Sequence, residues 1–389
     1  MGPSVPGART LDSGGWEGST VDESMAVDES TAVDESTAVD ESTAPRADRG
    51  TAVRSPASTF RRFARVPGWG GWHGWGEDKC GRSGWQRGRI AASLAGLVAC
   101  LLALHDAVPN AVGRLGSLLE TFLPWLGLAI PVLLGVSVLR RSLVALLALA
   151  LPVVAWLGLF GGALRPGDDS PYDLTTVTHN VSDENRDPAG TARALMEVEP
   201  DLVALVELTP PALPDYAQTL ASTYPHHAVR GTVGLWSKLP LADVRPLEIR
   251  PAGVGADWNR GLRATARTSR GDIAVYVAHL PSLRLGLPEG FGSARRDESA
   301  VLLGAAVAAE HLEEVILLGD LNGTVDDRGL GPVTAQLGTA ESDFAFSWPA
   351  TLPVARIDQI LARSATVTRV WALPATGSDH LPIAARIRF

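Results

Sequence analysis

Three apolar runs stand out along the chain: Ile90–Leu104, Thr121–Leu139 and Ser142–Leu164. None contains Asp, Glu, Lys or Arg, and their lengths are 15, 19 and 23 residues. A helix needs about 20 residues to cross the hydrocarbon core of a bilayer, so the second and third runs predict membrane spans directly. The first is short; Ala107 and Val108 extend it if His105 and Asp106 sit at the outer interface. A buried core hairpin is the alternative. Trp125, Trp156 and the scarcity of polar positions favour the membrane. Because the first run begins near residue 90, no cleaved signal peptide is expected.

Beyond Leu164 the pattern changes to short apolar strands mixed with amphipathic helices. Leu174–Val181, Leu202–Val206, Ile273–Ala278, Val315–Leu318, Ile357–Leu361 and Ile383–Ile387 read as strands, and Thr191–Val198 and Asp297–His311 as helices. No Gly-x-Gly-x-x-Gly loop or P-loop interrupts them. About 220 residues are ample for two sheets packed face to face and covered by helices. The organisation expected is a tail with a basic juxtamembrane segment (1–89), three transmembrane helices (90–164), a linker (165–173) and one α/β domain (174–389).

The tail carries four tandem hexads of the form VDES(T/M)A over residues 21–44. The period is too short for a helical solenoid, and the hexads lack the large apolar residues a core requires, so they read as a solvated spacer. A Gly- and Trp-rich tract, Gly68–Gly76, follows and suits a membrane interface.

Charge orients the spans. Basic residues from Arg46 to Arg89 precede the first run, and Arg140 and Arg141 lie between the second and third, with only Arg114 in the other loop. Positive loops face the cytoplasm. This places the N-terminus inside, gives a multi-pass cell-membrane protein, and leaves the domain after Leu164 extracytoplasmic. Up to residue 165 the chain holds 15 basic and 15 acidic residues; beyond it come 19 basic and 28 acidic, so the net charge of −9 belongs to the C-terminal domain. Such a domain does not advertise a polyanionic partner. Cys80 and Cys100 both precede it, so it contains no disulfide.

Chemically useful residues recur at or beside strand ends. Asn180 ends the first strand, Glu207 follows the second and His279 the third. Asp320 and Asn322 follow the fourth, Asp358 lies in Arg-Ile-Asp, and Asp379-His380 precede the last. Singly, each reads as a cap or a structural residue. Eight of them at six strand ends imply convergence on one rim. Carboxylate and amide oxygens suit a hard cation such as Mg2+ or Mn2+.

These motifs resemble the endonuclease/exonuclease/phosphatase superfamily, which includes DNase I-like nucleases, sphingomyelinases and inositol-phosphate phosphatases. The matching segments are Thr178–Val181 (THNV), Pro200–Glu207 (PDLVALVE), His279-Leu280, Gly319–Asn322 (GDLN), Arg356–Asp358 (RID) and Ser378–His380 (SDH). Gly234–Leu241 is similar to a hairpin strand of that family, and Ser347–Ala350 to a segment before its RID strand. The resemblance implies a four-layer α/β sandwich of DNase I-like type, here preceded by three transmembrane helices, and a Mg2+- or Mn2+-dependent hydrolase of ester bonds. Glu207 would be the principal metal ligand, with Asp379 and Asn180 in or near the coordination shell. Asp320 would orient the attacking water, and Asn322 and His279 would hold phosphate oxygens. His380, paired with Asp358, would act as base or donor.

Two features depart from the nuclease pattern. Leu208 and Thr209 follow Glu207 where DNA-cleaving relatives place basic or polar residues, and Lys238 is the domain's only lysine. Arg295 and Arg296 head a helix, where they either reach a phosphate or form a solvated helix end. The layout also resembles actinobacterial teicoplanin-resistance membrane proteins, which implies lipid-linked phosphates of cell-wall synthesis as substrates. The partners expected are therefore the lipid bilayer and a phosphate ester, a lipid headgroup ahead of nucleic acid, with no protein partner. The rival readings are an extracellular nuclease and a membrane scaffold without turnover.

Overall fold

The computed structural model describes residues 88–389, apart from residues 166, 168, 169, 284, 287–289 and 341. The hexads, the Gly/Trp tract and most of the basic flank lie outside the described residues, as does part of the linker.

The helical module comprises α1 (Arg89–Ala103), α2 (Leu115–Thr121), α3 (Ala129–Leu139), α4 (Leu143–Ala148) and α5 (Ala150–Phe160). A 3-10 segment, Leu123–Leu128, joins α2 to α3. Small and aliphatic side chains hold the module together: Ala95, Leu133 and Leu149 form one cluster, and Leu102, Leu123 and Phe160 another. The continuous stretch Leu143–Phe160 is long and apolar enough to cross a membrane. The second run forms one helical segment from Leu123 to Leu139, which does not continue straight from the helix before it. Leu115–Thr121 and Leu123–Leu139 meet at 69°. Pro124 supplies no N–H to the preceding turn and disfavours α geometry just before itself, which accounts for the break. Arg89–Ala103 is apolar but shorter than a span.

The C-terminal domain contains helices α6 (Pro188–Met196), α7 (Leu213–Leu220), α8 (Ala294–Ala308) and α9 (Gly331–Thr334). Its strands are β1 (Leu174–Asn180), β2 (Leu202–Val206), β3 (His226–Arg230), β4 (Val233–Ser237), β5 (Leu241–Pro246), β6 (Gly261–Arg267) and β7 (Asp272–His279). They continue with β8 (Leu285–Gly286), β9 (Gly290–Phe291), β10 (Val315–Asp320), β11 (Asp358–Arg363), β12 (Thr366–Ala372) and β13 (Ile383–Arg388). One sheet has the order β12-β13-β1-β2-β4-β3 and the other β11-β10-β7-β6-β5.

Strand periodicity assigns the layers. Leu202, Ala204 and Val206 of β2 meet Val275 and Val277 of β7 and Ile316 and Leu318 of β10 between the sheets. The alternate residues Val203 and Leu205 pack outward on Leu195 of α6 and Leu220 of α7. On the other flank Ala274, Tyr276 and Leu317 pack on Leu303 and Val307 of α8. The result is helix, sheet, sheet, helix: the mixed α/β, DNase I-like sandwich.

Candidate active site

Sheet register brings the polar strand ends together. β1 and β2 run parallel with Asn180 opposite Val206, so Asn180 and Glu207 leave the first sheet side by side. In the second sheet Asp320 is registered with His279 on one flank and Asp358 on the other. That close approach requires Gly319, whose φ is 141° and where a Cβ would lie 1.9 Å from the carbonyl oxygen of Ala278. Asn180 then bridges the sheets, its Nδ2 donating to Asp320 Oδ2 at 3.1 Å.

The Ser378–His380 turn completes the rim. Ser378 Oγ donates to the carbonyl of Asn180 at 2.7 Å and accepts His380 N at 3.0 Å. This aims His380 at Asp358, whose Oδ2 lies 2.7 Å from Nδ1. The opposite ring nitrogen, Nε2, faces Asp320 Oδ2 at 3.9 Å. His279 Nε2 lies 3.6 Å from Glu207 Oε1 and 3.8 Å from Asp320 Oδ2. Asn322 donates its backbone N–H to Asp320 Oδ1 at 2.8 Å and its side-chain Nδ2 to Leu280 O at 3.0 Å. A second amide hydrogen remains on that nitrogen. Glu207 and Asn322 both adopt positive φ, 63° and 47°, conformations that side chains disfavour and that concentrate at functional sites.

Asn180, His279, Asp320, Asn322, Asp358 and His380 are buried, while Glu207 is partly exposed and Asp379 exposed. The acidic floor is thus open on its Glu207 and Asp379 side. Burial raises the Asp320 pKa to about 7, the Asp358 charge adding to it against the opposing pull of His380, Asn180 and Asn322. Burial opposes the His380 imidazolium, but the charge and hydrogen bond of Asp358, with Asp320 and Asp379, overcome it and raise the pKa to about 10. His279 is held well below its ordinary value by burial first, then by Arg260 and His380.

The donor set fits a hard divalent cation. Ligand atoms of Asp320, Asp358 and His380 lie within 4.8 Å of one another. Asp358 Oδ1 is buried without a partner, and Asp320 is hard to ionise beside it, so a cation placed there would satisfy the first and favour the ionised form of the second.

Of two arginines near the site, Arg260 escaped the sequence reading and Arg296 was read at a helix head. Arg260 precedes β6, antiparallel to β7, and its Nη1 lies 3.3 Å from Nδ1 of His279. Only the register of that hairpin, with Gly261 opposite Ala278, places it, and no local sequence pattern does. Arg296 is neither a solvated helix end nor free to meet a phosphate. It is fully buried, and its Nη1 donates to the carbonyl of Asn322 at 3.1 Å. Arg295 is the exposed member of the pair.

Two packed mixed sheets with carboxylates, amides and imidazoles gathered at one rim define a class of hydrolytic α/β sandwich. The chain belongs to the Endonuclease/Exonuclease/phosphatase family, whose sequence profile matches residues 177–380. Members of that family hydrolyse phosphodiester bonds. No curated protein matches the chain by sequence. Among solved structures it is similar to sphingomyelinase C from Streptomyces griseocarneus, at 20% identity and TM-score 0.43 over 56% of this chain and 99% of that one. D. rerio TDP2 complexed with a single-strand DNA product gives 19%, 0.46, 56% and 99% for the same quantities. A Staphylococcus aureus beta toxin variant with bound magnesium ions gives 17%, 0.43, 55% and 99%.

Proposed function

We propose that this chain is a membrane-anchored, metal-dependent phosphoesterase that hydrolyses a phosphate or pyrophosphate ester on a membrane lipid. The carrying observation is an apolar trough of about 370 Å³ where the helical module meets the catalytic domain. Pro124, Trp125, Ile130 and Trp156 form its helical wall, and Phe344 and Phe346 its catalytic-domain wall. Trp125 stacks on Phe346 at 5.5 Å, and Phe346 on Phe344 at 5.2 Å. Both indole N–H groups are used on backbone carbonyls, Trp125 on Val354 and Trp156 on Pro124, so the rings offer apolar faces. Phe346 immediately precedes Ser347, whose Oγ accepts the backbone N–H of Asp358 at 3.2 Å. Ala350, in the same loop, donates to the carbonyl of Asp379 at 2.7 Å. One short loop therefore touches both the trough and the catalytic rim, which supports the trough as a seat for the hydrocarbon chain of a lipid substrate.

Anchoring is supported by what the helices leave uncovered. Leu97, Val132, Leu134, Leu147, Val154 and Leu157 are exposed on several sides of the module. Soluble proteins rarely expose so extended an apolar surface. Arg140 and Arg141, between α3 and α4, favour a cytoplasmic position for that turn, which would leave the catalytic domain outside. In this reading all three apolar runs cross, the second as Leu123–Leu139 with the bend at its start.

Glu207, Asp379 and Asn180 would hold Mg2+ or Mn2+, which when bound neutralises charge on the phosphate. Asp320 orients the attacking water from the buried floor. Asn322 and His279 donate to phosphate oxygens, and Arg260, beside His279, adds fixed positive charge. His380 moves the proton at Nε2, while Asp358 fixes its tautomer and steadies the imidazolium. A nuclease reading is disfavoured by the domain's acidic balance, since polyanion binding draws on basic footprints. Full-length protein in liposomes, offered polyprenyl pyrophosphate and plasmid DNA together, tests the assignment against a Glu207→Ala control. Phosphate release without nicking is expected; nicking without phosphate release would promote the nuclease.

A further inference from the structure

Glu120, in α2 of the helical module, is fully buried and is met there by a residue of the catalytic domain. Arg328 Nε lies 2.9 and 3.0 Å from the two carboxylate oxygens, Nη2 donates to Oε1, and the Arg328 backbone N–H donates to Oε2 at 2.9 Å. Further guanidinium hydrogens go to the carbonyls of His105, Asp106 and Val108, at 2.8, 3.1 and 2.9 Å. Ligand atoms of His105, Asp106 and Glu120 also cluster within 4.8 Å. The guanidinium already occupies the Glu120 carboxylate, so that cluster is a docking contact and not a metal centre.

The contact leads inward. Asp327, adjacent to Arg328, accepts Nη2 of the fully buried Arg296. Arg296 Nε donates to Asp297 Oδ1 at 2.8 Å, and Asp297 Oδ2 accepts Nη1 of Arg114, a second residue of the helical module, at 2.8 Å. The remaining bond from Arg296 runs to the carbonyl of Asn322, whose own N–H holds Asp320. Both acids that flank Arg296 are thus tied, directly or through a neighbour, to the membrane-side helices.

We infer that Glu120 and Arg114 position the catalytic loop Asp320–Arg328 through Arg328, Asp297 and Arg296, which makes the helical module a working part of the active site and not a tether alone. The catalytic half of this inference rests on the phosphoesterase reading above; the structural half does not. Asn322 holds a left-handed φ that the chain does not adopt freely, so surrounding contacts must impose it. Arg296 and Asp327 are a buried ion pair, and weakening the groups around such a pair leaves charge that the loop must rearrange to satisfy. Glu120, Arg328 and Arg296 are positioning residues; none touches the reacting atoms.

The test uses the full-length chain in nanodiscs and two readouts. Amide hydrogen exchange of Leu321–Gly329 should quicken about tenfold in Glu120→Gln, the order expected for coupling through a side-chain network, while β7 and β13 stay protected. With Mn2+ and bis(p-nitrophenyl) phosphate, kcat should fall about tenfold with KM little changed, since Asn322 acts on the transition state. In an Asn322→Ala background most of that loss should disappear, because the group being positioned is gone. Arg328→Lys, which keeps the charge but forfeits most of the carbonyl contacts, should fall between wild type and Glu120→Gln and decides the matter if the latter fails to fold. Unchanged exchange at Leu321–Gly329, or kcat losses that multiply in the double variant, would overturn the inference. A wild-type protein inactive on every ester would sink the phosphoesterase reading, and the exchange result would still decide the structural linkage.

Discussion

Asp358 Oδ2 lies 2.7 Å from Nδ1 of His380, both residues buried, and the pair joins the edge strand of one sheet to the turn that caps the other. The bond leaves Nε2 facing Asp320 and the open side of the site. It is the same division of labour by which a carboxylate steadies an imidazole in hydrolytic triads.

His380→Ala should therefore lower kcat by about two to four orders of magnitude, the usual contribution of a positioned acid–base group. Asp358→Asn should lose about as much, because the amide neither fixes the imidazole tautomer nor steadies the imidazolium. Circular dichroism and thermal unfolding should remain close to wild type in the asparagine variant. A His380→Ala protein with wild-type kcat would remove this residue from the chemistry.

Metal dependence follows from the acidic floor. Activity of the full-length protein should vanish in EDTA and return with Mg2+ or Mn2+. Glu207→Ala should not recover at any metal concentration, because the partly exposed carboxylate at the mouth of the site is missing. Full activity in EDTA would refute the assignment.

How much of this was legible in the sequence depends on what each residue answers to. The strands β1, β2, β7, β10, β11 and β13 were readable because apolar runs end in polar residues there, and Asn180, Glu207, His279 and Asp320 occupy those ends. The strands β5, β6 and β12 were not read. Leu241–Pro246 is half exposed, and Arg263 and Arg369 interrupt the apolar pattern of the other two. Arg263 is instead a buried ion-pair partner of Glu310, which no local pattern reveals. The bend before α3 was implicit in Pro124, but the helical composition on both sides masked it. Arg296 was the hardest to place. Its position at a helix head suits solvent, and only the tertiary meeting of Asp327, Asp297 and Asn322 buries it.

Glu310 yields a pH prediction away from the metal site. Its Oε2 accepts Arg263 Nε at 2.9 Å and the Tyr276 hydroxyl at 2.8 Å, while Oε1 accepts the backbone N–H of Leu312 at 3.1 Å. Burial alone would raise its pKa. The bonds from Arg263, Leu312 and Tyr276 outweigh that and lower it from 4.5 to about 2. A carboxylate whose folded pKa is depressed contributes stability fully above its unfolded value and loses it as pH falls toward the folded one. The thermal midpoint of wild type should therefore exceed that of Glu310→Gln at pH 7, and the gap should close between about pH 4.5 and 2. A gap that is constant with pH would mean that packing, not charge, distinguishes the two.

The proposed topology rests on Arg140 and Arg141 together with the basic residues before α1. A phosphatase-type reporter that works only when exported should be active when fused after Phe389, and a fluorescent reporter that requires the cytoplasm should stay dark. The reverse pattern would mean an even number of crossings, with Arg89–Ala103, the short apolar helix, as the one that does not cross.

The trough gives the sharpest test of substrate class. Phe346 stacks on Trp125 and contributes to the catalytic-domain wall, and it adjoins Ser347, whose Oγ accepts the backbone N–H of Asp358. Phe346→Leu keeps an apolar side chain of similar reach and removes the stacked face. Losing about 1 to 2 kcal/mol of apolar and ring contact with a bound chain corresponds to roughly a five- to thirtyfold drop in kcat/KM. That drop should appear only for substrates with a long hydrocarbon chain and should sit largely in KM, because the trough contacts chain equally before and during reaction. Hydrolysis of bis(p-nitrophenyl) phosphate, which has no chain, should be unaffected. Equal losses on both substrates would locate the effect in the Ser347–Asp358 contact, and no loss on either would separate the trough from the substrate path.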